Sequence, residues 1–352
     1  MADDEGMHSA TSDAQTLDDG TVVRLLEPGE GAILGEAIRV AYGDSYDAVW
    51  VYDAAEVDAR LADGRLTSAV AETPDGDLLC HAGASRTATD AHVAEVGQAV
   101  TMPAARGHHL FTHVKQHLAG WAADAGLYGL FSEATTAHPY SEKANVDLGA
   151  KEAGFLLAWI PATVANDAAL DAIACRQAAA LFYLRVNDGH ERPLHVPERH
   201  RDVVATIVAV CDLRGVVIAD PPMAPSPDES VVHVLDRPDH NLAVLTVEEP
   251  GSDLVAVVGE ERRRRFDAGL DVLYVDLPME RPAAAWAADQ LEEHGVTFAG
   301  VFPNGRVAGD VLRLQVLNEV RPHPEGISTA SAHGAELLAY VLDDLARQHG
   351  TA

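Results

Sequence analysis

Lysine is almost missing from this chain of 352 residues, in which Lys115, Lys143 and Lys151 are the only three. Lys and Arg together number 25 against 55 Asp and Glu, which gives a formal net charge of -30. The sequence therefore has no basic stripe that could neutralise phosphates, and this excludes nucleic acid as a partner. Because such an acidic surface repels itself unless salt screens it, the composition predicts a halophilic protein.

Cysteine is scarce too, and long apolar runs are missing. Cys80, Cys175 and Cys211 are scattered and form no CxxC pair, so we expect a reducing cytoplasm and no disulfide framework. No segment reaches the roughly 18 apolar residues of a membrane span, and the acidic N-terminus does not resemble a signal peptide. The histidines lack metal-ligand spacing. These observations predict a soluble, cytoplasmic protein without a metal and without membrane contact.

Three regions are predicted along the chain. Residues 1–18 are polar and aperiodic, which is typical of a disordered acidic tail. Residues 19–186 give strands and helices in the order β-α-α-β-β-β-α-β-α-β-β, as judged from apolar periodicity and turn residues. This order indicates an α/β fold with a mixed sheet and helices on both faces. Residues 187–352 open with a linker-like stretch at residues 190–193 and then form a second α/β domain.

The two predicted domains end in similar ways. The first has LFSEA, a helix, GFLLA and ALFYLRV, and the second has LYVDL, a helix, TFAGV and DVLRLQV. Both read as one β-α-β-β unit, which indicates a degenerate repeat. An acidic stretch before the helix near residue 253 would repel phosphates, so a structural role is expected for the second half.

The segment expected to carry chemistry is residues 94–118, AEVGQAVTMPAARGHHLFTHVKQHL. A strand ends at Met102, a short turn holds Arg106 and Gly107, and a helix follows at once. Such a turn directs unpaired backbone N–H groups and the positive end of the helix dipole toward one point. The arrangement predicts an anion site suited to a pyrophosphate.

This segment and the later stretch SEATTAHPYSEKANVDLGAKEAGFLLAWIP resemble the GNAT N-acetyltransferase superfamily over residues 20–186. The phosphate-loop pattern of that family, [Q/R]-x-x-G-x-[G/A], falls on residues 106–111. Arg106 matches the pattern, whereas His109 and Phe111 stand where it has small residues. The tyrosine that many members use as general acid would fall near Leu148. The resemblance implies the GNAT acyl-CoA N-acyltransferase fold and, for residues 187–352, a degenerate GNAT-like domain.

What the resemblance implies about activity is direct acetyl transfer from acetyl-CoA to a primary amine of a small molecule or protein. A carboxylate or histidine would take the amine proton, and the Val100 N–H would stabilise the developing oxyanion. The implied catalytic residues are Glu95, Glu133, His138 and Tyr140. The implied cofactor-binding residues are Val100, Met102, Arg106, Gly107, His108, His109, Leu110, Phe111 and Asn145.

Other interpretations remain open from the sequence. The altered loop and Leu148 also fit a non-catalytic acyl-CoA-binding sensor or interaction module with the same fold. A purely structural domain is the third alternative. Each candidate residue has an ordinary structural interpretation as well; Asn145, for example, could brace the helix on which it lies. The sequence leaves the acceptor and the oligomeric state open, a homodimer included.

Overall fold

A computed structural model describes residues 14–44, 46, 48–162, 175–307 and 309–350 of the chain. The first 13 residues of the predicted tail lie outside these described residues. The chain divides into two compact units, Met1–Leu130 and Phe131–Ala352. This division falls inside a strand, Gly129–Thr135. The predicted domain boundaries at residues 19 and 187 stay predictions.

The first unit is an antiparallel sheet with three α-helices in its described part. Its strands lie in the order in which they occur in the chain: β1 (Gln15–Thr16), β2 (Val22–Leu25), β3 (Leu66–Glu72), β4 (Leu78–Ser85) and β5 (Val93–Thr101). Its helices are α1 (Ala32–Tyr42), α2 (Ala54–Asp63) and α3 (Leu110–Asp124). Short 3-10 helices occupy Val49–Tyr52 and Pro103–Ala105. Strand β1 corrects the predicted tail, because Gln15–Thr16 pair with β2.

Local sequence signals explain the ends of these elements. The Asp53 carboxylate accepts a hydrogen bond from the Ala55 N–H at 3.0 Å and so caps α2. Gly64 then ends the helix in the left-handed conformation, with φ of 76°. One core cluster of the unit joins the buried face of α1, with Leu34 and Ile38, to Val100 on β5.

The second unit contains the remaining strands and helices. Its strands are β6 (Gly129–Thr135), β7 (Lys151–Ile160), β8 (Gln177–Arg185), β9 (Arg192–His195), β10 (Gly215–Ile218), β11 (Val231–Arg237), β12 (Leu242–Glu249), β13 (Val272–Pro278), β14 (Thr297–Phe302) and β15 (Val311–Leu317). Its α-helices are α4 (Pro139–Asp147), α5 (Arg201–Val210), α6 (Leu254–Asp267), α7 (Ala284–Glu292) and α8 (Ala332–Gly350). The 3-10 helices are Glu198–His200, Pro238–His240 and Pro324–Gly326.

The order of elements from β2 to β8 is the order predicted from the sequence. The large sheet of the second unit runs β6-β8-β7-β14-β15-β13-β12-β11. It is mixed, because β12 and β13 are parallel whereas β13, β15 and β14 are antiparallel neighbours. The predicted mixed α/β class is therefore confirmed.

The predicted repeat is visible in this sheet. The unit β6-α4-β7-β8 and the unit β13-α7-β14-β15 each place their last strand between the other two. The two copies meet where β7 and β14 pair antiparallel through Gly154 and Gly300. A Cβ on Gly154 would lie 2.7 Å from the Ala299 carbonyl oxygen, so only glycine permits this approach of the two backbones.

One predicted linker is in fact a strand. Residues 190–193 were expected to be a connection, but Arg192–His195 form β9, which pairs parallel with β10. The Arg192 side chain is buried and makes two hydrogen bonds to the Asp310 carboxylate, at 3.0 and 2.6 Å. Within the described part of the chain, no helix is both long and apolar enough to cross a membrane.

Candidate functional site

Strand β5 carries a bulge just before its end. His81 on β4 pairs with Val100, but Gly83 pairs with Gly97, so β5 has one extra residue between these pairs. Gln98 lies there in the left-handed region, with φ of 47°. A Cβ on Gly83 would come within 2.6 Å of the Gln98 side-chain oxygen. A larger residue opposite the bulge would require the Gln98 side chain to move, and the bulge itself redirects the strand ahead of the candidate turn.

A buried histidine holds this bulge. The His81 ring is fully buried, and burial lowers its pKa to about 4, so the ring is neutral. Nδ1 lies 2.8 Å from the Gln98 carbonyl oxygen and therefore carries the proton, which it donates to that oxygen. Nε2 then accepts a hydrogen bond from the Ser68 hydroxyl at 3.1 Å. The backbone leading to the turn is fixed by these core hydrogen bonds.

The turn after β5 presents a row of backbone amides. Gly107 has φ of 85°, and His109, at the N-cap of α3, has φ of 56°. No side chain caps the helix there. Among the described residues, none accepts a hydrogen bond from the N–H groups of residues 107–111. Left-handed backbone at Gly107 and His109 turns the chain into the N-terminus of α3, and a helix N-terminus with free amides is a common anion-binding site.

The charge around this turn is unlike the rest of the chain. Residues 96–123 contain neither Asp nor Glu, and this is the longest such stretch in a sequence with 55 acidic residues among 352. Residues 106–109 are exposed to solvent, and Arg106 is one of them. A Cβ on Gly107 would meet no atom within 4 Å, so the space in front of it is open. The turn thus lies in a sequence stretch without acidic residues of its own, and the Asp19 carboxylate, from the segment before β2, is close enough to His108 to interact with it electrostatically.

Behind the turn, α3 carries a buried lysine. Lys115 is only 4% exposed, and burial lowers the pKa of its ammonium to about 8. Its Nζ lies 4.9 Å from the centre of the half-buried Phe111 ring, in cation–π contact. The Phe111 ring therefore has a packing partner on its own helix.

Two other predicted residues of this unit are more constrained. The Met102 N–H donates to the Leu79 carbonyl at 2.9 Å, so strand pairing already uses that amide. The Glu95 side chain lies over Gly97, since a Cβ on that glycine would be 3.8 Å from Glu95 Oε1. The catalytic role of Glu95 and the cofactor contacts of Val100 and Met102 stay predictions.

The second unit holds the other predicted residues, and Glu133 on β6 is the most informative of them. Its Oε1 lies 3.7 Å from Nη1 of Arg313 on β15. The strands β8, β7 and β14 separate β6 from β15 in the sheet, so the sheet must curl to bring these side chains together. Arg313 in turn donates from Nε and Nη2 to the Asp276 carboxylate, at 2.7 and 2.8 Å. The predicted catalytic carboxylate thus faces a buried ion pair.

The remaining predicted residues cluster around α4. His138 is the N-cap of this helix, and its ring lies 5.3 Å from the exposed ring of Tyr140. Among the described residues, none makes a hydrogen bond with the buried His138 Nδ1. Asn145 is buried; its amide donates to the Ser141 carbonyl at 3.1 Å and accepts from the Ser132 hydroxyl at 3.0 Å. These bonds brace α4 against β6, and the cofactor contact of Asn145 stays a prediction.

Sequence reasoning missed two features of these sites. The sequence could not link Arg313 to Glu133, because their contact depends on the curl of the large sheet. The two residues lie on β15 and β6 and are 180 residues apart in the chain (133 to 313). The bulge at Gln98 had a weak signal, since a glycine inside a strand, here Gly97, often marks one. The absence of acid from residues 96–123 was readable in the sequence. In the described residues, no group of three His, Cys, Asp or Glu side chains is arranged as a metal site.

No protein-family model and no curated protein sequence matches the chain. It is similar to solved acetyltransferases. With the ribosomal-protein-S5-alanine acetyltransferase from Vibrio fischeri the identity is 12%, 50% of this chain and 97% of that chain are covered, and the TM-score is 0.39. With the GNAT superfamily phosphinothricin acetyltransferase from Sinorhizobium meliloti, in complex with AcCoA, the identity is 20%. The match covers 48% of this chain and 90% of that chain, and the TM-score is 0.38. With the ribosomal-protein-S18-alanine N-acetyltransferase from Escherichia coli the identity is 14%, 49% of this chain and 97% of that chain are covered, and the TM-score is 0.37.

The mixed α/β fold and its GNAT-like order of elements rest on the strands and helices described above. From β2 to β8 every element of the expected order is present.

Proposed function

We propose that this protein is an acetyl-CoA-dependent N-acetyltransferase that acts on a primary amine of a small molecule or protein. One observation carries the proposal. The amides of residues 107–111 make no hydrogen bond within the described chain, and they lie at the start of α3 in the longest acid-free stretch of the sequence. A stretch without carboxylates of its own adds little repulsion toward an anion that approaches these amides.

The residues present fit the diphosphate of acetyl-CoA. Unpaired N–H groups at a helix N-terminus bind phosphate oxygens, and Gly107 leaves open space for a close approach. Arg106 is exposed beside it and supplies the fork of donors that phosphate prefers. His108 and His109 are exposed as well, and Leu110 is buried, so no apolar side chain at 107–110 covers the amides.

The proposed reaction is direct transfer. The amine loses one proton to a base, its nitrogen forms a bond to the acetyl carbonyl carbon, and the carbon–sulfur bond breaks. The sulfur leaves with the electron pair and takes up a proton as the CoA thiol. We assign the base to Glu133 or Glu95, oxyanion stabilisation to the Val100 N–H, and protonation of sulfur to Tyr140 or His138.

Calorimetric titration with acetyl-CoA tests the binding step, and release of free thiol in the presence of amines tests turnover. Arg106→Glu should weaken acetyl-CoA binding at least tenfold, since it places a carboxylate at the phosphate site. Arg263→Glu is the matched control, because Arg263 is an exposed arginine on α6 and the change in net charge is the same. Equal affinity in both variants would contradict the site at residues 106–111.

Two outcomes separate the proposed enzyme from the alternatives. Tight binding of acetyl-CoA with no thiol release for any amine would identify the acyl-CoA-binding sensor instead. No binding at all would leave only a structural domain.

The working environment belongs to the same proposal. We infer from the net charge of -30 and the scarcity of lysine that the protein functions in a halophile's cytoplasm at molar salt. Thermal stability should then rise steeply between 0.1 M and 2 M KCl, as measured by calorimetry. A melting temperature independent of KCl would contradict this inference.

A further inference from the structure

A buried arginine from the second half of the chain faces the carboxylate that the first half offers as a base. Arg313 is 5% exposed, and its Nη1 lies 3.7 Å from Glu133 Oε1. Nothing in the sequence assigned any chemical role to the second half, which was expected to be structural. This contact gives the second half a direct connection to the proposed reaction.

Arg313 cannot easily move. Two of its nitrogens are held by the Asp276 carboxylate. Three aromatic rings surround the guanidinium, with the centres of Phe302, Trp159 and Tyr274 at 5.2, 5.8 and 6.0 Å from its Cζ. A guanidinium that is surrounded by rings and held along its Nε–Nη2 edge is a rigid, permanently charged group. It therefore presents Nη1 to Glu133 at a fixed position.

The distance between the two groups is chemically informative. At 3.7 Å the pair attracts electrostatically, but it is too long for a hydrogen bond. Among the described residues, none forms a hydrogen bond with Nη1. A cation at this distance stabilises the ionised carboxylate without itself occupying one of the oxygen lone pairs. The fixed positive charge therefore favours the ionised form of the Glu133 carboxylate.

We propose that Arg313, fixed by Asp276, is a positioning residue that keeps Glu133 ionised and oriented as the base for the acceptor amine. The second half of the chain is then part of the catalytic apparatus rather than a cover for the sheet. This inference rests on the proposed N-acetyltransferase function. Arg313 contacts Glu133, and Asp276 and Tyr274 are the charged and titratable groups behind that arginine.

The pH dependence of kcat/KM for the amine, measured with the full chain, tests the proposal. In Arg313→Gln the acidic limb of the profile should move up by about one pH unit, since ionised Glu133 loses its cation. At pH 7 kcat should fall about tenfold, while KM for acetyl-CoA stays unchanged. Arg313→Lys keeps the charge and should restore most of the activity. The matched control is Arg306→Gln, another largely buried arginine of the second unit, which pairs with Glu248 and Glu280 instead.

A double-mutant cycle keeps the test decisive if Arg313→Gln does not fold. The small loss of kcat that Arg313→Lys causes in the wild-type background should be absent in the Glu133→Gln background, because the arginine acts through Glu133. Equal effects in both backgrounds, or a pH profile that Arg313→Gln leaves unchanged, would overturn the positioning role. Absence of turnover in the wild type at every pH would instead overturn the proposed N-acetyltransferase.

Discussion

Replacement of Glu142 by Gln should make the protein more stable at high pH. Glu142 lies on α4, is fully buried, and burial raises the pKa of its carboxyl to about 7 from the ordinary value of 4.5. The nearby Glu152 carboxylate adds to this effect. The Ser328 hydroxyl donates to Glu142 Oε2 at 2.7 Å. This hydrogen bond favours the ionised carboxylate and so offsets part of the rise in pKa, but burial is the larger effect.

The size of the effect follows from the two pKa values. Between pH 4.5 and about 7 the folded protein holds a proton on Glu142 that the unfolded chain has released. Stability therefore falls as pH rises through this window and is flat above it. At 1.36 kcal/mol for each pH unit, the wild type loses about 3 kcal/mol. Gln is neutral at every pH and retains the hydrogen-bonding shape, so Glu142→Gln avoids this loss.

Denaturant unfolding at pH 4.5, 6 and 8 in constant high salt measures the difference. The free energy of unfolding of Glu142→Gln minus that of the wild type should grow by about 3 kcal/mol from pH 4.5 to pH 8. Glu336→Gln is the matched control, since Glu336 is exposed on α8 and the charge change is the same. A pH-independent difference for Glu142→Gln, or a wild type that is the more stable protein at pH 8, would refute the reasoning.

Two further predictions concern glycines and thiols. Gly154→Ala should destabilise the protein by several kcal/mol in denaturant unfolding, because its Cβ would strike the backbone of β14. Gly259→Ala, in α6 with open space around it, should stabilise by up to about 1 kcal/mol, and a similar result for both variants would contradict the close approach. Cys175 should react fastest with a thiol reagent at pH 7.5, since burial raises the pKa of Cys80 to about 11 and of Cys211 to about 12. Rapid labelling that survives Cys175→Ser would contradict this.

The elements of the fold were largely readable from the sequence. Apolar spacing at Leu34, Ala37 and Ile38 indicated α1, and these residues form its buried face. Turn residues and glycines marked most ends, as at Gly64. Strand β9 was missed because its pairing is with β10, twenty residues further on, and a four-residue strand has no periodicity of its own.

The candidate site was readable only in part. The turn at residues 106–111 has a local signature, because free amides at a helix N-terminus follow from strand, turn and helix in sequence. The Gln98 bulge and the neutral His81 beneath it depend on the pairing of two strands, and pairing is set by the whole sheet. Roles for Glu95, Val100 and Tyr140 stay predictions.

The sequence by itself determined the acidic character of the chain, the order of its helices and strands, and the acid-free turn before α3. These follow from composition and from short-range periodicity, which each segment carries independently. Only the tertiary structure decided that Arg313 meets Glu133 and that Glu142 lies beside Glu152. The physical reason is that charge states and base strength depend on burial and on neighbours a few ångströms away. Glu133 and Arg313 come from strands far apart in the chain, whereas Glu142 and Glu152 come from a helix and the strand that follows it.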